Sequence, residues 1–436
     1  MTIPAYPAAQ AVAAKARDHF VRHQLAARQQ GHQDLAPEPD REAIELITNA
    51  AFWASLRREE GYAPKISLAF LPPEQAGRPL RFERPLKLTP DALTRLAPAV
   101  ERPGIHLGVW RQKAEQIQDG HARSEEWSAA PAAPSADSSA GQSAGAGDDV
   151  SLPQSAPAPA PQTAALDNAT DSLVVWGATR TIPSLCFVLE VVAPGLLVIK
   201  HRSGQASGKF VNVAVLEGDQ VKVLDLQGAN LADSPPLLQA MLGIDPPGGE
   251  REPVNVLLQL AVSMRAHQRG GALLLVPAGS DAWRESIVRP ISYSVSPPFT
   301  ELGRLMREDP AARQERRWQD ALRRAVDAIA GLTAVDGATI LSDDYDLLAF
   351  GAKISRREGA AQVERVIASE PLNGAVSRIV APAQLGGTRH ISAAQFAQDQ
   401  RDAFALVASQ DGRFTTFAWS KREQMVGAHR IEALLL

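Results

Sequence analysis

Along the first sixty residues, apolar and polar positions alternate at helical spacing. Ala8 to Gln29 sets Ala, Val, Leu and Phe among Arg, Lys and Gln, which predicts an amphipathic helix. Asp40 to Arg58 predicts a second, with Ile44, Ile47, Ala51 and Leu56 on one side and a charged exit, Arg57-Arg58-Glu59-Glu60-Gly61. Phe52 and Trp53 read as core. The period then changes to two. Ile66–Phe70 is a predicted strand stopped by Pro72-Pro73, and Leu86–Leu88 and Ile105–Trp110 predict shorter ones. Further on, Leu173–Gly177, Phe187–Val192, Leu196–Lys200, Phe210–Val215 and Val221–Leu224 continue the strand pattern, with Pro194-Gly195 as a hairpin turn.

Between these strand groups, from about Glu125 to Thr170, the chain turns to Ala, Pro, Ser and Gly with almost no large apolar residues. Such a stretch buries too little surface to offset its ordering entropy and is expected to be disordered. It reads either as a linker or as an insertion whose flanking strands pair, Leu107–Trp110 with Leu173–Gly177. Four segments are expected: an α/β unit at 1–123, the low-complexity stretch at 124–170, a β-rich segment at 171–250 packing with the first unit, and a last domain at 251–436.

The last domain opens with a predicted helix, Val254 to Arg269, and an apolar strand, Gly271 to Val276. Thr300 to Ile329 predicts one long helix whose arginines, among them Arg304, Arg316 and Arg323, mix with acids as on a solvated face. Strands at Ala338–Leu341 and Leu347–Lys353 flank Asp343-Asp344-Tyr345-Asp346, where turn chemistry accounts for the aspartates without a metal. A helix is expected from about Ser392 to Arg401. No internal repeat is evident. The fold class is α/β, with α+β as the alternative.

Composition narrows the function classes. A net charge of -4 over 436 residues argues against a generally basic nucleic-acid binder. No run of eighteen apolar residues and no signal pattern occur, so neither a membrane span nor export is expected. The single cysteine, Cys186, lies in an apolar run as a buried thiol and fits a reducing, cytoplasmic setting. Ser203-Gly204-Gln205-Ala206-Ser207-Gly208-Lys209 fails as a phosphate-binding P-loop, because Phe210 stands where Ser or Thr is needed. The histidines outside the candidate loop, including His106, His201, His267 and His429, look scattered, with no metal-ligand spacing. No Gly-x-Ser-x-Gly elbow appears.

Two loops carry candidate chemistry. In Leu385-Gly386-Gly387-Thr388-Arg389-His390 the glycines allow close backbone approach, and a hydroxyl, a guanidinium and an imidazole follow just before a predicted helix, an arrangement that suits phosphate. In Val335-Asp336-Gly337-Ala338 an acid precedes a glycine at the mouth of a strand, where a divalent metal on a nucleotide could be held. Other readings stay open. Asp336 suits a strand-entry turn, Arg389 could pair with Asp399, and His390 could simply orient its loop.

Asp336-Gly337-Ala338 and Gly387-Thr388-Arg389-His390 resemble the signature loops of diadenylate cyclase (DAC) domains. Gly271–Val276 resembles that family's early strand, and Ala405–Gly412 its late one. The resemblance covers roughly Val254 to Trp419, and the whole chain resembles predicted bacterial sensor proteins with a variant DAC domain, the DACNV type. It implies a mixed sheet flanked by helices that binds ATP or a related nucleotide. Asp336 would be the ligand to Mg²⁺ or Mn²⁺ and the catalytic group, and Gly337, Ala338, Gly386, Gly387, Thr388, Arg389 and His390 the nucleotide-binding set. It also implies a homo-oligomer, because the family joins two ATP into cyclic di-AMP across facing subunits. The family's second loop usually reads Arg-His-Arg, and Ile391 replaces the last cation here, which tilts the expectation to a nucleotide sensor over an active cyclase. A downstream signalling partner is expected, of unknown identity.

Overall fold

The computed structural model describes residues 4–58, 61–112, 172–203, 210–225, 255–309 and 311–436. The expected disorder at 124–170 and nearly all of the Ser203–Lys209 loop lie outside the described residues.

The first sheet has eight strands: β1 (Ile66–Phe70), β2 (Leu80–Lys87), β3 (His106–Gln112), β4 (Ser172–Thr179), β5 (Phe187–Ala193), β6 (Leu196–Arg202), β7 (Phe210–Glu217) and β8 (Gln220–Val223), in the order β2-β4-β3-β1-β5-β6-β7-β8. β3 and β4 pair directly, with Leu107 opposite Ala178. One face is covered by α1 (Pro7–Gln29), α2 (Arg41–Ser55) and α3 (Pro90–Val100), whose Phe20, Ile44, Ile47 and Leu93 pack in one core with Leu68, Leu107 and Phe187. The Asp40 carboxylate caps α2 by accepting from the Ala43 N–H at 2.7 Å. α3 was not foreseen from apolar spacing. Its signal is local: Thr89 accepts from the Ala92 N–H at 3.2 Å, and Pro90 occupies the first turn.

The second sheet has nine strands in the order β10-β12-β11-β9-β15-β16-β17-β13-β14. These are β9 (Gly271–Val276), β10 (Tyr293–Phe299), β11 (Ala338–Ser342), β12 (Leu347–Ala352), β13 (Val366–Ser369), β14 (Arg378–Val380), β15 (Phe404–Ala408), β16 (Phe414–Ser420) and β17 (Met425–Arg430). Every residue of β9 is buried, so the strand needs cover on both faces. On one side lie α4 (Val256–Ala266), α5 (Glu301–Arg307) and α6 (Arg316–Leu332), and on the other α7 (Thr388–Asp399). The single helix expected over 300–329 is two. Pro310 bars the helical conformation at Asp309, and α6 resumes with Trp318, Leu322, Val326 and Ile329 facing the core. α7 starts at Thr388, four residues before the expected Ser392. His390 is the first member of its buried stripe, followed by Ala393, Ala394 and Ala397, so packing draws that turn into the helix.

The absence of a repeat in the sequence does not extend to the structure. Seven strands of each sheet follow one plan. A central strand (β1, β9) pairs parallel with one neighbour (β3, β11) and antiparallel with the other (β5, β15), and the outer strands follow in matching order and direction. Phe70 opposite Phe187 corresponds to Leu275 opposite Phe404, which aligns Leu71-Pro72 with Val276-Pro277. Along β4 and β12, Leu173-Val174-Val175-Trp176-Gly177-Ala178 matches Leu347-Leu348-Ala349-Phe350-Gly351-Ala352 in spacing and character. The same registers set Ser67, His106, Glu190, Lys200 and Asn212 of the first sheet against Ala272, Ala338, Val407, Phe417 and Ala428 of the second. These are the positions beneath α7. Among the described residues no helix covers that face of the first sheet: residues 180–186 connect β4 to β5, and the floor carries Ser67, His106, Glu190, Lys200 and Asn212.

The two sheets are joined at the C-terminal tail. Val198, Val215 and Leu224 pack on Ala433, and the Asn212 amide donates to the carbonyls of Ala433 (3.2 Å) and Leu436 (3.1 Å). The Asp225 N–H donates to Pro371 O at 2.9 Å. Among the described residues, no helix is long and apolar enough to cross a membrane.

Two outcomes follow from this packing. Asn212→Ala removes these part-buried hydrogen bonds and should cost about 1 kcal/mol, read as a lower urea midpoint; an unchanged midpoint would show that the tail is held by other means. His106 and His429 are each lowered to about 4, chiefly by burial, from an ordinary 6.5. The unfolded chain therefore binds more protons between those values. Stability should be full above about pH 6.5 and fall as the pH drops towards 4, by about 3 kcal/mol for each histidine. Urea titrations at pH 7.5 and 4.5 measure it, and His429→Gln should flatten the dependence.

Candidate functional site

The two candidate loops come together at one end of the second sheet. β9 and β11 run parallel, with Leu273 opposite Thr339, so the residues that enter them, Gly270 and Asp336-Gly337, lie side by side. β12 returns antiparallel to β11 with Ala352 opposite Ala338, which carries Lys353 back to Asp336. β15 ends at the same edge, Ala408 opposite Gly271. α7 begins there too: the Arg389 guanidinium lies over Gly270, with Nη1 3.1 Å from where a Cβ would stand.

Asp336 is ion-paired with Lys353, yet its side chain remains 85% exposed, so the carboxylate is open to a ligand. The hydrogen bond and charge of Lys353, and beyond them the charge of Arg389, hold the carboxyl below the ordinary carboxylate range. Gly337 adopts φ +115°, and a side chain there would overlap the Gly351 backbone, so only glycine lets this loop close on β12. Ala338 is different. It is 1% exposed and belongs to the core beneath the loop, so its contribution to a ligand is confined to the backbone.

Gly387 is the N-cap of α7 and offers no side-chain cap. The first-turn N–H groups ahead of the helix's own ladder therefore face outward beside Thr388, which is exposed, and Arg389, which is half-buried. Arg389 does not pair with Asp399. That residue lies at the far end of the helix and accepts from the Arg357 N–H at 2.8 Å. His390 points inward. It is 2% exposed, lies against Gly386 where no Cβ would fit, and meets Phe417 edge-on at 6.1 Å. Burial lowers its pKa, with Asp411 opposing, so the imidazole is neutral at pH 7. His390 thus positions the loop from below, while the charge offered to a ligand is that of Arg389. Ile391 is partly exposed beside it.

Sequence reasoning missed Lys353 and Gly270. The signal for Lys353 was the hairpin, since a strand returning from 347 to 353 brings its end back to the start of β11. The signal for Gly270 was the Gly270-Gly271 pair ahead of an apolar strand. A separate cavity of about 540 Å³ lies at the opposite end of α7, lined by Pro277, Trp283, Asp399, Arg401 and Trp419, and shares no residue with the two loops.

Comparison with known proteins touches the first sheet. No curated protein matches the chain. One family model does, over residues 33–119, which carry α2, β1, β2, α3 and β3, whereas the cyclase-like loops belong to the second sheet. Residues 33–119, the α2-to-β3 portion of the chain, match the family model described as probable sensor domain DACNV.

Proposed function

We propose that the protein is a cytoplasmic signalling protein whose second sheet binds ATP or a related nucleotide between Asp336 and the Gly386–His390 loop. The observation that carries this reading is the convergence of an exposed carboxylate, a guanidinium and an uncapped helix start on one sheet end, from loops about fifty residues apart. Arg389, Thr388 and the N–H groups of the first turn of α7 would take the phosphates. Asp336 would hold Mg²⁺ or Mn²⁺. Its ionised, outward carboxylate fits a hard cation that draws its remaining oxygens from phosphate and water, and the metal would neutralise phosphate charge. Lys353, now on Asp336, would be released to the phosphates. The match of residues 33–119 to a probable sensor domain supports a sensing role for the chain.

One observation favours the second reading, an active diadenylate cyclase. Asp336 faces outward from the sheet end, as it would if it served a 3′-hydroxyl on a nucleotide held by a facing copy. Ile391, in place of the family's second arginine, weighs against it.

Isothermal titration of the purified chain with ATP and Mn²⁺, with mass analysis of the products, separates the readings. Saturable, metal-dependent binding without cyclic di-AMP is expected. Asp336→Asn with Arg389→Ala should weaken it by about 10- to 100-fold, from the loss of one charge-assisted contact and the metal. Cyclic di-AMP from the wild type alone would make the protein an enzyme, and no binding at all would end the nucleotide reading.

A further inference from the structure

Three of the nine histidines, which look scattered along the chain, meet in the first sheet. His19 and His23 lie one turn apart on α1, and His201 lies on β6 beneath them. The ring centroids of His19 and His23 are 4.0 Å apart, those of His19 and His201 5.3 Å, and those of His23 and His201 5.7 Å.

His201 is 5% exposed, and its Nδ1 lies 3.1 Å from the Arg202 carbonyl. A carbonyl only accepts, so Nδ1 carries the proton and Nε2 presents a bare lone pair. That Nε2 is buried with no hydrogen-bond partner, and so is the Nε2 of His19. Two unpartnered ring nitrogens beside a third imidazole are costly as pure structure, since each buried polar atom left unpaired costs on the order of 1–3 kcal/mol. Arg22 is the charged neighbour that acts on His19 and His23, and Glu or Asp is not among the groups that do. All three imidazoles are shifted towards the neutral form, chiefly by burial, and neutral imidazole is the ligating form.

We propose that His19, His23 and His201 bind one zinc-like divalent transition-metal ion, with the fourth position left to water or an exogenous ligand. The chemistry is that of an i, i+4 histidine pair on one helix face completed by a third imidazole from another element. Metal–nitrogen bonds of about 2.0–2.1 Å at tetrahedral angles set ring centroids about 5 Å apart, close to two of the three spacings. The Arg202 carbonyl on His201 Nδ1 is the outer hydrogen bond that fixes a ligating tautomer. Among the described residues, no group of three or more His, Cys, Asp or Glu side chains is placed, as it stands, so that it could hold a metal ion, and binding therefore requires the His19–His23 pair to open. His23, on the exposed side of α1, has the room to rotate. Three imidazoles and no carboxylate select zinc, cobalt, nickel or copper over magnesium or calcium.

The test uses the full chain, stripped with chelator and titrated with ZnCl₂ by calorimetry, with CoCl₂ followed by visible absorption. One zinc per chain at micromolar affinity or tighter is expected, with a rise in Tm and tetrahedral Co²⁺ bands, and no response to MgCl₂. His201→Gln and His23→Gln should each weaken zinc by at least about tenfold. His23→Gln alters an exposed position, so circular dichroism should show it folded. No saturable zinc binding by the wild type would overturn the proposal, as would binding of equal stoichiometry and affinity in both variants. Asp336→Asn should leave the zinc isotherm unchanged, which separates this site from the nucleotide loops.

Discussion

The parallel pairing of β9 with β11 is the constraint on which the second half of the molecule depends. Both strands are buried along their whole length, so burial, at about 1.5–3 kcal/mol for each large apolar side chain, fixes their register. A one-residue slip would turn Leu273 and Leu275 out of one core and into the other. Fixed register sets the entry residues of the two strands side by side. From that follow the positions of Asp336 beside Gly270, of Lys353 at the end of the returning hairpin, and of Arg389 over Gly270. The candidate site is thus a consequence of how a buried strand pair begins.

The same plan, built twice, is put to different use. In the second sheet the floor under α7 is apolar, and the helix both seals it and delivers Arg389. In the first, Ser67, His106, Glu190, Lys200 and Asn212 take up the corresponding positions and no helix among the described residues covers them. An apolar helix could not seal such a floor without burying charge, and burying an uncompensated charge is costly. Its polar groups pair among themselves instead: the Ser67 hydroxyl with His106 Nδ1 at 2.7 Å, Lys200 with Glu190, and Asn212 with the tail of the second unit. Among the described residues the first unit therefore shows no counterpart to the Gly386–His390 loop. The Asn212 contact with the tail also couples the two sheets physically, so a change at one has a packed route to the other.

Much of this architecture was legible along the chain because it is local. β1 and β9 were bounded to the residue, α1 nearly so, and the Gly-Gly and Asp-Gly loops announced themselves by composition. Periodicity within ten or twenty residues is what side-chain burial on a single element imprints. Elements whose identity rests on packing were harder to see. α7 starts where His390 joins a buried stripe, four residues ahead of the expected Ser392, and the charged stretch after Thr300 divides at a proline.

By itself, then, the sequence determined most elements of the first sheet, the two candidate loops and the composition of the linker-like stretch, since each depends on neighbours along the chain, while α3 and the strands β10, β13, β14, β16 and β17 were not read from it. Only the tertiary structure decided that Lys353 guards Asp336, that His390 faces inward while Arg389 faces outward, that two sheets repeat one strand order, and that His19, His23 and His201 meet. These are relations between residues from 17 to about 180 positions apart. They are set by strand register and helix packing, which, apart from the hairpin that returns Lys353 to Asp336, leave no fixed spacing in the sequence to read.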